Sequence, residues 1–571
     1  MPSAHSSVPG IPTHPALERR WYGSYPPGVP TSIELDRYSS LCDVFSRSFK
    51  EHADKPALIC MGVTVSYRQL DEASHRLAAW LQSLGLAAGA RVAVMLPSLP
   101  QYLVCVPAIL RAGFVVVNVN PMYTPRELAH QLKDSGAEAI VILENFAHVF
   151  QQVREQTEVK HVVVATVGDM LGGLKGVLTN FVVRKVKKAV PAWSLPGHDR
   201  FNDVLQRGAS LPLHEAQPGQ GDLAMLQYTG GTTGVAKGAM LLHRSLLAAV
   251  SQAESWMRPA LTETPAVANP LLLVPLPLYH VYTLYLSMMS LSIGACCLLI
   301  PNPRDINSLV KAMQQHRFHL MTGLNTLYNA LLNHPQIGAV DFSACRSFIG
   351  GGAATQQAIA ERWHSLTGRW IQEGWGMSET TGAGTCNPPH RHEFNGSIGL
   401  PLPSTDMLIR DEEGHDLPIS EVGEICIAGP QLMAGYWQRA EETEQALGAD
   451  GFLKTGDIGM MDEQGYVRIV DRKKDMILVS GFNVYPSEIE EVAIAHPGVL
   501  EAAAISMPDE HSGEAVKLFV VKKDPQLSVE SMRSYCEKNL TNYKRPRQIL
   551  FIDELPKSPV GKVLRRALRD S

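Results

Sequence analysis

The stretch YTGGTTGVAKG, residues 228–238, gathers four glycines and three threonines around one lysine, Lys237. Glycines let backbone N–H groups turn towards an anion, hydroxyls add donors, and a lysine adds a point charge, so the chemistry on offer is phosphate binding. The nucleotide-kinase loop needs G-x-x-x-x-G-K-[ST]. Counting from Gly231 reaches Ala236, counting from Gly230 reaches Val235, and Gly238 follows Lys237 where a hydroxyl should stand, so that loop is excluded. A flexible surface loop is the commoner fate of short Gly/Thr clusters. Here AMLQY (224–228) reads as a strand before the loop and AMLLHRSLLAAV (239–250) as a helix after it. That setting favours phosphate binding over a bare loop.

Three further clusters carry reactive types. EGWGMSETTG (373–382) places Ser378 and Glu379 after a glycine turn, DGFLKTGDIG (450–459) contains Asp457, and ELPKSPVGKVLRRAL (554–568) sets Lys562 on a Gly-Lys turn. Each has an ordinary reading: a helix-start acid for Glu379, a turn residue for Asp457, a solvated lysine for Lys562.

These clusters need elements to hold them. YRQLDEASHRLAAWLQSLG (67–85), YLVCVPAILRAG (102–113) and TPRELAHQLKDSG (124–136) read as helices, alternating with the strands RVAVMLP (91–97), FVVVNVNP (114–121) and AEAIVIL (137–143). Alternation of this kind predicts an α/β class with parallel sheets covered by helices. It returns after residue 270 with CCLLI, HLMTG and SFIGGG. From about residue 405 the strands become short and turn-rich, and the tail beyond 471 reads as a small α+β unit. The expected division is 1–471 and 472–571, and a chain of this length exceeds a single core.

A net charge of −5 without long blocks of like charge argues against nucleic-acid binding. Nine scattered cysteines without a CxxC pair indicate neither a disulfide framework nor a zinc site, which fits a reducing cytoplasm. The opening thirty residues lack an apolar signal-peptide region and read as an extended, proline-rich lead-in. HVYTLYLSMMSLSIGACCLLI (280–300) is long enough to span a bilayer, but its serines and Gly294 favour a buried helix followed by a core strand. GLKGVLTNFVVRKVKKAV (173–190) places Leu174, Val177, Leu178, Phe181, Val182, Val186 and Val190 on one helical face, with five basic residues and no acid. Two readings stand: a helix lying on an anionic membrane surface, or one packed on the body with its basic face solvated. The first would place the protein peripherally on the inner face of the membrane.

In order and spacing these motifs, together with ERRWYGSYPPGVP (18–30) and LPLYHVY (276–282), resemble the adenylate-forming acyl-CoA synthetase family over nearly the whole chain, most closely its branch acting on long-chain fatty acids. The resemblance implies a large body of two parallel-sheet subdomains and a small β part, with a mobile C-terminal domain. It implies ATP-dependent conversion of a long-chain fatty acid to acyl-AMP, then to fatty acyl-CoA, with ATP and coenzyme A as co-substrates, Mg²⁺ as cofactor and a homodimer left open. Thr229, Gly230, Gly231, Thr232, Thr233, Gly234 and Lys237 would cradle the β- and γ-phosphates. Glu379 would hold Mg²⁺, Ser378 would touch phosphate, and Lys562 would bond the carboxylate and α-phosphate. Asp457 would accept from the ribose with Arg472 nearby, while Gly351, Gly352 and Ala353, with Trp375 and Gly376, would border the nucleotide. The hinge would fall at 471–475 with Lys474 its pivot, presenting Gly481 and Phe482 to coenzyme A. Tyr279, His280, Thr322, Gly323 and Asn325 would wall the acyl tunnel along 276–289 and 321–332. For His280, a buried structural histidine remains the alternative.

Ala236, Gly231 and Trp375 depart from the residues usual in the family at those positions, and none removes a charge that the chemistry needs. Within the scaffold the alternatives are medium-chain or aryl acids, or transfer to a carrier protein. Outside it stands a non-catalytic nucleotide- or membrane-binding protein.

Overall fold

The computed structural model describes residues 17–229, 236–389, 393–480, 482–509, 512–558 and 563–569. Among these residues the strands form four sheets. The seven-stranded sheet runs Asp199–Arg200, His161–Ala165, Ala137–Leu143, Arg91–Met95, Val115–Asn118, Leu223–Tyr228, Gly238–Leu242. The nine-stranded sheet is parallel through its centre, where Leu271–Val274 lies between Cys296–Leu299 and Leu320–Gly323 and is followed outwards by Ser347–Gly350 and Ile371–Trp375. Strands buried on both faces need continuous apolar runs, and every residue of Val115–Asn118 is buried. The connecting helices start and stop on local signals. Pro125–Ser135 begins with a reciprocal Thr124/Glu127 capping box and ends at Gly136 in the left-handed region (φ 58°).

The segment after the glycine loop differs from expectation. Gly238–Leu242 is a strand paired antiparallel with Leu223–Tyr228, and the helix begins only at His243. Pairing the two apolar runs satisfies both backbones. The helix N-terminus expected beside Lys237 therefore lies a strand away.

The lead-in expected to be extended is packed from Leu17 onwards. Trp21 is fully buried, and the Arg19 guanidinium holds both Asp406 oxygens at 2.7 Å. The Tyr25 ring meets Trp256 edge-on at 5.3 Å. Residues 17–38 thus strap the four-stranded antiparallel sheet (406–410, 423–428, 453–461, 467–472) to the body.

Val281–Ser292 is a buried helix, Gly294 turns the chain at φ 74°, and Cys296–Leu299 is a core strand. Among the described residues no helix is long and apolar enough to cross a membrane. All nine cysteines are buried. The tail forms a five-stranded sheet between residues 477 and 552, with helices Pro486–Ile494 and Val529–Asn539. It has a core of its own around Ile477, Ile489, Leu518 and Met532.

His243 opens the long helix from a buried position, its Nδ1 accepting from Leu41 N at 3.2 Å. Burial lowers its pKa from 6.5 to about 4. As pH falls through the unfolded value the unfolded chain takes up a proton that the folded chain refuses, so stability drops across this window and is fully reduced below the folded value. The loss expected is about 3 kcal/mol. Urea midpoints measured from neutral pH downwards should fall through the window, and His243→Gln should flatten that fall.

Candidate active site

Most of the described nucleotide-side residues lie beyond the carboxyl ends of parallel strands, where open α/β sheets form their crevices. Gly351 and Gly352 follow Ser347–Gly350, and Gly376 follows Ile371–Trp375. The 3-10 turn Ser378–Thr380 comes next, with Gly382 N donating back to Met377 O at 2.8 Å. A Cβ on Gly376 would stand 2.3 Å from Gly382 O, so only glycine lets the turn fold back this tightly.

The turn delivers Glu379 into the interior at 6% exposure. Tyr436 donates its hydroxyl to Glu379 Oε1 at 2.7 Å, while the same ring lies beneath Lys237, 5.1 Å from Nζ to centroid. One aromatic side chain thus joins the loop lysine to the buried carboxylate. Burial raises the Glu379 pKa above the ordinary carboxylate value, opposed by the Tyr436 hydrogen bond and the charge of Arg472. Lys237 Nζ also lies 3.9 Å from Glu442 Oε1.

The hairpin carrying Lys237 is anchored at its base. Thr229 N donates to Lys237 O at 2.9 Å. Asp134, at the end of a body helix, accepts from Tyr228 Oη at 2.7 Å and from Arg439 at 2.8 Å, so one strand of the base and the segment after Tyr436 share one carboxylate. Gly230, Gly231, Thr232, Thr233 and Gly234 lie outside the described residues, as do Gly481 and Lys562.

The antiparallel sheet supplies Asp457 and Arg472 from paired positions on adjacent strands. Asp457 is 1% exposed, and Trp375 Nε1 donates to its Oδ2 at 2.8 Å. Arg472 Nε stands 3.0 Å from Oδ1 without the alignment of a hydrogen bond, which leaves Oδ1 an acceptor with capacity to spare. Trp375 is thus the donor that orients Asp457.

One cavity joins Trp375 and the neighbouring glycines to an apolar region. Gly351, Gly352, Trp375, Gly376 and Ser378 line it together with His280, Tyr285, Leu286, Trp256 and Met257. His280 precedes the helix Val281–Ser292 and so sits where polar and apolar linings meet. The wall from 253–257 was not legible in the sequence, where the helix expected after the loop was read only over 239–250. From 321–332 the lining includes Leu324. Thr322 is fully buried at a strand end, Asn325 accepts from Gln356 N at 3.0 Å, and a Cβ on Gly323 would meet the Tyr328 ring. Tyr279 packs beside His280, and its carbonyl accepts from Gln227. Ala353 is exposed next to Gly352. Lys474 is exposed in the turn after Arg472, and Phe482 stacks on Tyr543 at 4.8 Å. Tyr436 was missed as well; its one sequence signal is a glycine-aromatic pair, GYW, of a kind found in many proteins.

A buried acid linked to a lysine through Tyr436, and a second buried acid held by the cavity-lining Trp375, suit a nucleoside triphosphate, and the adjoining apolar cavity suits a hydrocarbon. The AMP-binding enzyme family matches residues 45–437, and the AMP-binding enzyme C-terminal domain matches residues 488–562. The chain belongs to the AMP-binding enzyme family. This AMP-binding enzyme is 50% identical over 556 residues to a long-chain-fatty-acid–CoA ligase of Escherichia coli O6:H1 (strain CFT073), covering 97% of this chain and 98% of that protein. It is 35% identical to a protein of the same name from Bacillus subtilis (strain 168), covering 96% and 98%. It is 31% identical to the fatty acid–[acyl-carrier-protein] ligase ScoC of Streptomyces coeruleorubidus, covering 90% and 93%. Among solved structures it is similar to ATP-bound MatB from Rhodopseudomonas palustris, with a TM-score of 0.77 at 29% identity, covering 93% of this chain and 98% of that one.

Proposed function

We propose that this AMP-binding enzyme is an ATP-dependent long-chain fatty acid–CoA ligase acting inside the cell. The observation that carries the reading is the continuity of one cavity from the glycines and Ser378 to the apolar surface of Trp256, Met257 and Leu286. Two other features support it: the relatives whose printed names are long-chain-fatty-acid–CoA ligase, and the retention of Lys237, Glu379, Asp457 and Lys562.

A carboxylate is anionic and a poor electrophile. In the first step one of its oxygens attacks the α-phosphorus of ATP, the bond to pyrophosphate breaks, and acyl-AMP forms. Anions must be brought together, so the site has to supply oriented donors and cations. Lys237 and the hairpin N–H groups hold the terminal phosphates, Lys562 meets the α-phosphate and the carboxylate, and Asp457 accepts from the ribose. Glu379 fits a magnesium ion: Tyr436 engages one of its oxygens, and burial keeps water from competing. Among the described residues no group of three His, Cys, Asp or Glu side chains could hold a metal, so Glu379 would act together with substrate phosphates. Bound there, the ion would neutralise charge on the phosphates.

In the second step the coenzyme A sulfur attacks the acyl carbon, AMP leaves, and the thiol proton passes to solvent. Lys562 must clear the path. We assign 1–471 and 472–571 as the two bodies, with rotation about 471–475 around Lys474 bringing Gly481 and Phe482 to the thiol. The tail's own core, and its tie to Asp471 through Ser487 at 2.9 Å, suit such a motion. His280, with Tyr279 beside it, would stand at the carboxylate end of the acyl site. Thr322, Gly323 and Asn325 support its wall through Leu324.

The test is AMP release with acids from acetate to oleate, with and without coenzyme A. Long acids should release AMP and give thioester only when coenzyme A is present. AMP from short or aryl acids alone would overturn the chain-length reading, and none from any acid would overturn the ligase reading. Trp375→Phe removes the donor that holds Asp457 and is expected to raise KM for ATP about tenfold, equivalent to ~1.4 kcal/mol for one hydrogen bond to a charged group. Initial rates against ATP concentration check this, and an unchanged KM would remove Trp375 from nucleotide binding.

A further inference from the structure

The helical segment 173–186 (Gly173–Phe181 continued by Val182–Val186) is rolled the opposite way from an ordinary surface helix. Leu174, Val177, Leu178, Phe181 and Val186 are 88, 69, 63, 56 and 65% exposed. They are five of the twelve large apolar side chains exposed among the described residues, so the patch is concentrated rather than scattered. The face turned inwards is small or polar. Gly176 packs backbone on backbone, with a Cβ there 2.4 Å from Gly168 O. Asn180 accepts from Gly168 N and donates to Thr166 Oγ1, both at 2.8 Å. Arg184 grips the buried Glu144 at 2.7 Å, and Lys175 donates to Met61 O at 2.5 Å. Gly176, Asn180 and Arg184 recur one turn apart, so these anchors set the roll of the helix and hold its apolar side outwards. This overturns the reading of a helix packed on the body through its apolar face. The basic residues expected to be solvated divide in two: Lys175 and Arg184 are the anchors, and Lys185, Lys187 and Lys188 are exposed at the far end.

From Met170 to His198 the chain has no acidic residue. Arg184 neutralises Glu144, and Asp305 faces Lys187. A second copy of this chain is a poor occupant, because twofold pairing would set two acid-free basic segments against each other. An anionic lipid surface meets both features at once: apolar side chains enter the headgroup–acyl boundary while lysines lie among the phosphates.

We propose that the outward face of 173–186 is a docking surface for anionic membranes. The proposal rests on the ligase reading only for its use, since a long-chain acid concentrates in bilayers and a docked enzyme would meet it there. Binding itself is independent of catalysis. The test is co-sedimentation of the full-length protein with phosphatidylcholine vesicles, with and without phosphatidylglycerol. The wild type should bind the anionic vesicles, and the double variant Leu178→Glu/Phe181→Glu should lose about tenfold in binding. Lys185→Glu/Lys187→Glu should lose binding to anionic vesicles by a similar factor and lose its sensitivity to salt. Thioester formation from acid delivered on albumin, without vesicles, should be unchanged in both variants, which establishes that they fold. If the wild type forms no thioester at all, the ligase reading falls while the vesicle result still stands. Equal binding by wild type and variants, no binding by the wild type, or a dimer in light scattering that the glutamates dissolve without any vesicle binding would overturn the docking surface.

Discussion

Replacing Glu379 with glutamine is expected to slow acid-dependent exchange of pyrophosphate into ATP by about 10²–10³-fold, the usual scale for removing one electrostatic group from a preorganised site. Glutamine keeps the size of the side chain and an oxygen for the Tyr436 hydroxyl, so packing should survive and the melting temperature should hardly move. What disappears is a negative charge buried at 6% exposure, where solvent screens little and a cation's partner counts for most. Because burial raises the Glu379 pKa, the wild-type rate should also fall on the acid side at a pH above the ordinary carboxylate range, as protonation removes the charge. The glutamine variant has nothing to protonate there and should lack that limb. Exchange near the wild-type rate, or an acid limb unchanged in the variant, would take Glu379 out of the reaction.

Lys562→Ala should divide the two half-reactions. Adenylation should fall by about 10³-fold, since the variant loses the cation expected between two anions, whereas thioester formation from supplied acyl-AMP should change by no more than about threefold. The asymmetry follows from the geometry a two-step reaction demands: the lysine is wanted while the carboxylate attacks phosphorus and obstructs once the thiol approaches. The tail suits this alternation because it has its own core. The side chains at 471–475 pair in both directions, Asp475 with Arg565 and Arg569 of the tail and Lys473 with Glu424 of the antiparallel sheet. Single-turnover measurement of each half-reaction decides it, and equal loss of both would sink the alternation.

The difference between a readable and an unreadable feature is clear at the hairpin and the helix. Local chemistry was legible in the order of residues: the Thr124/Glu127 cap, the buried strand Val115–Asn118, the helix-then-strand division of 280–300 at Gly294, and the glycine, lysine and acid types of the reactive clusters. Each depends on neighbours within a few residues, so the chain carries the information itself. The strand Gly238–Leu242 read as helix because what decided it was a partner strand, Leu223–Tyr228, rather than its own propensity.

The site shows the same divide. Residue types announced that phosphate and a carboxylate could be handled, and order and spacing announced the family. That Tyr436 would bridge Lys237 and Glu379, that Trp375 would hold Asp457, and that Trp256 and Met257 would wall the cavity required elements far apart in the chain to meet, 57 residues for Tyr436 and Glu379 and 82 for Trp375 and Asp457. The helix 173–186 is the sharpest case. Its amphipathic pattern was plain, yet the pattern is symmetric with respect to roll. Only the anchors Gly168, Thr166, Glu144 and Met61, contributed by other segments, decided that the apolar side would face outwards. Most elements, the family and the reactive types were legible in the order of residues, whereas the strand after the loop and the choice of which faces meet or stay in solvent depended on hydrogen bonds and packing between distant segments, which have no local signature.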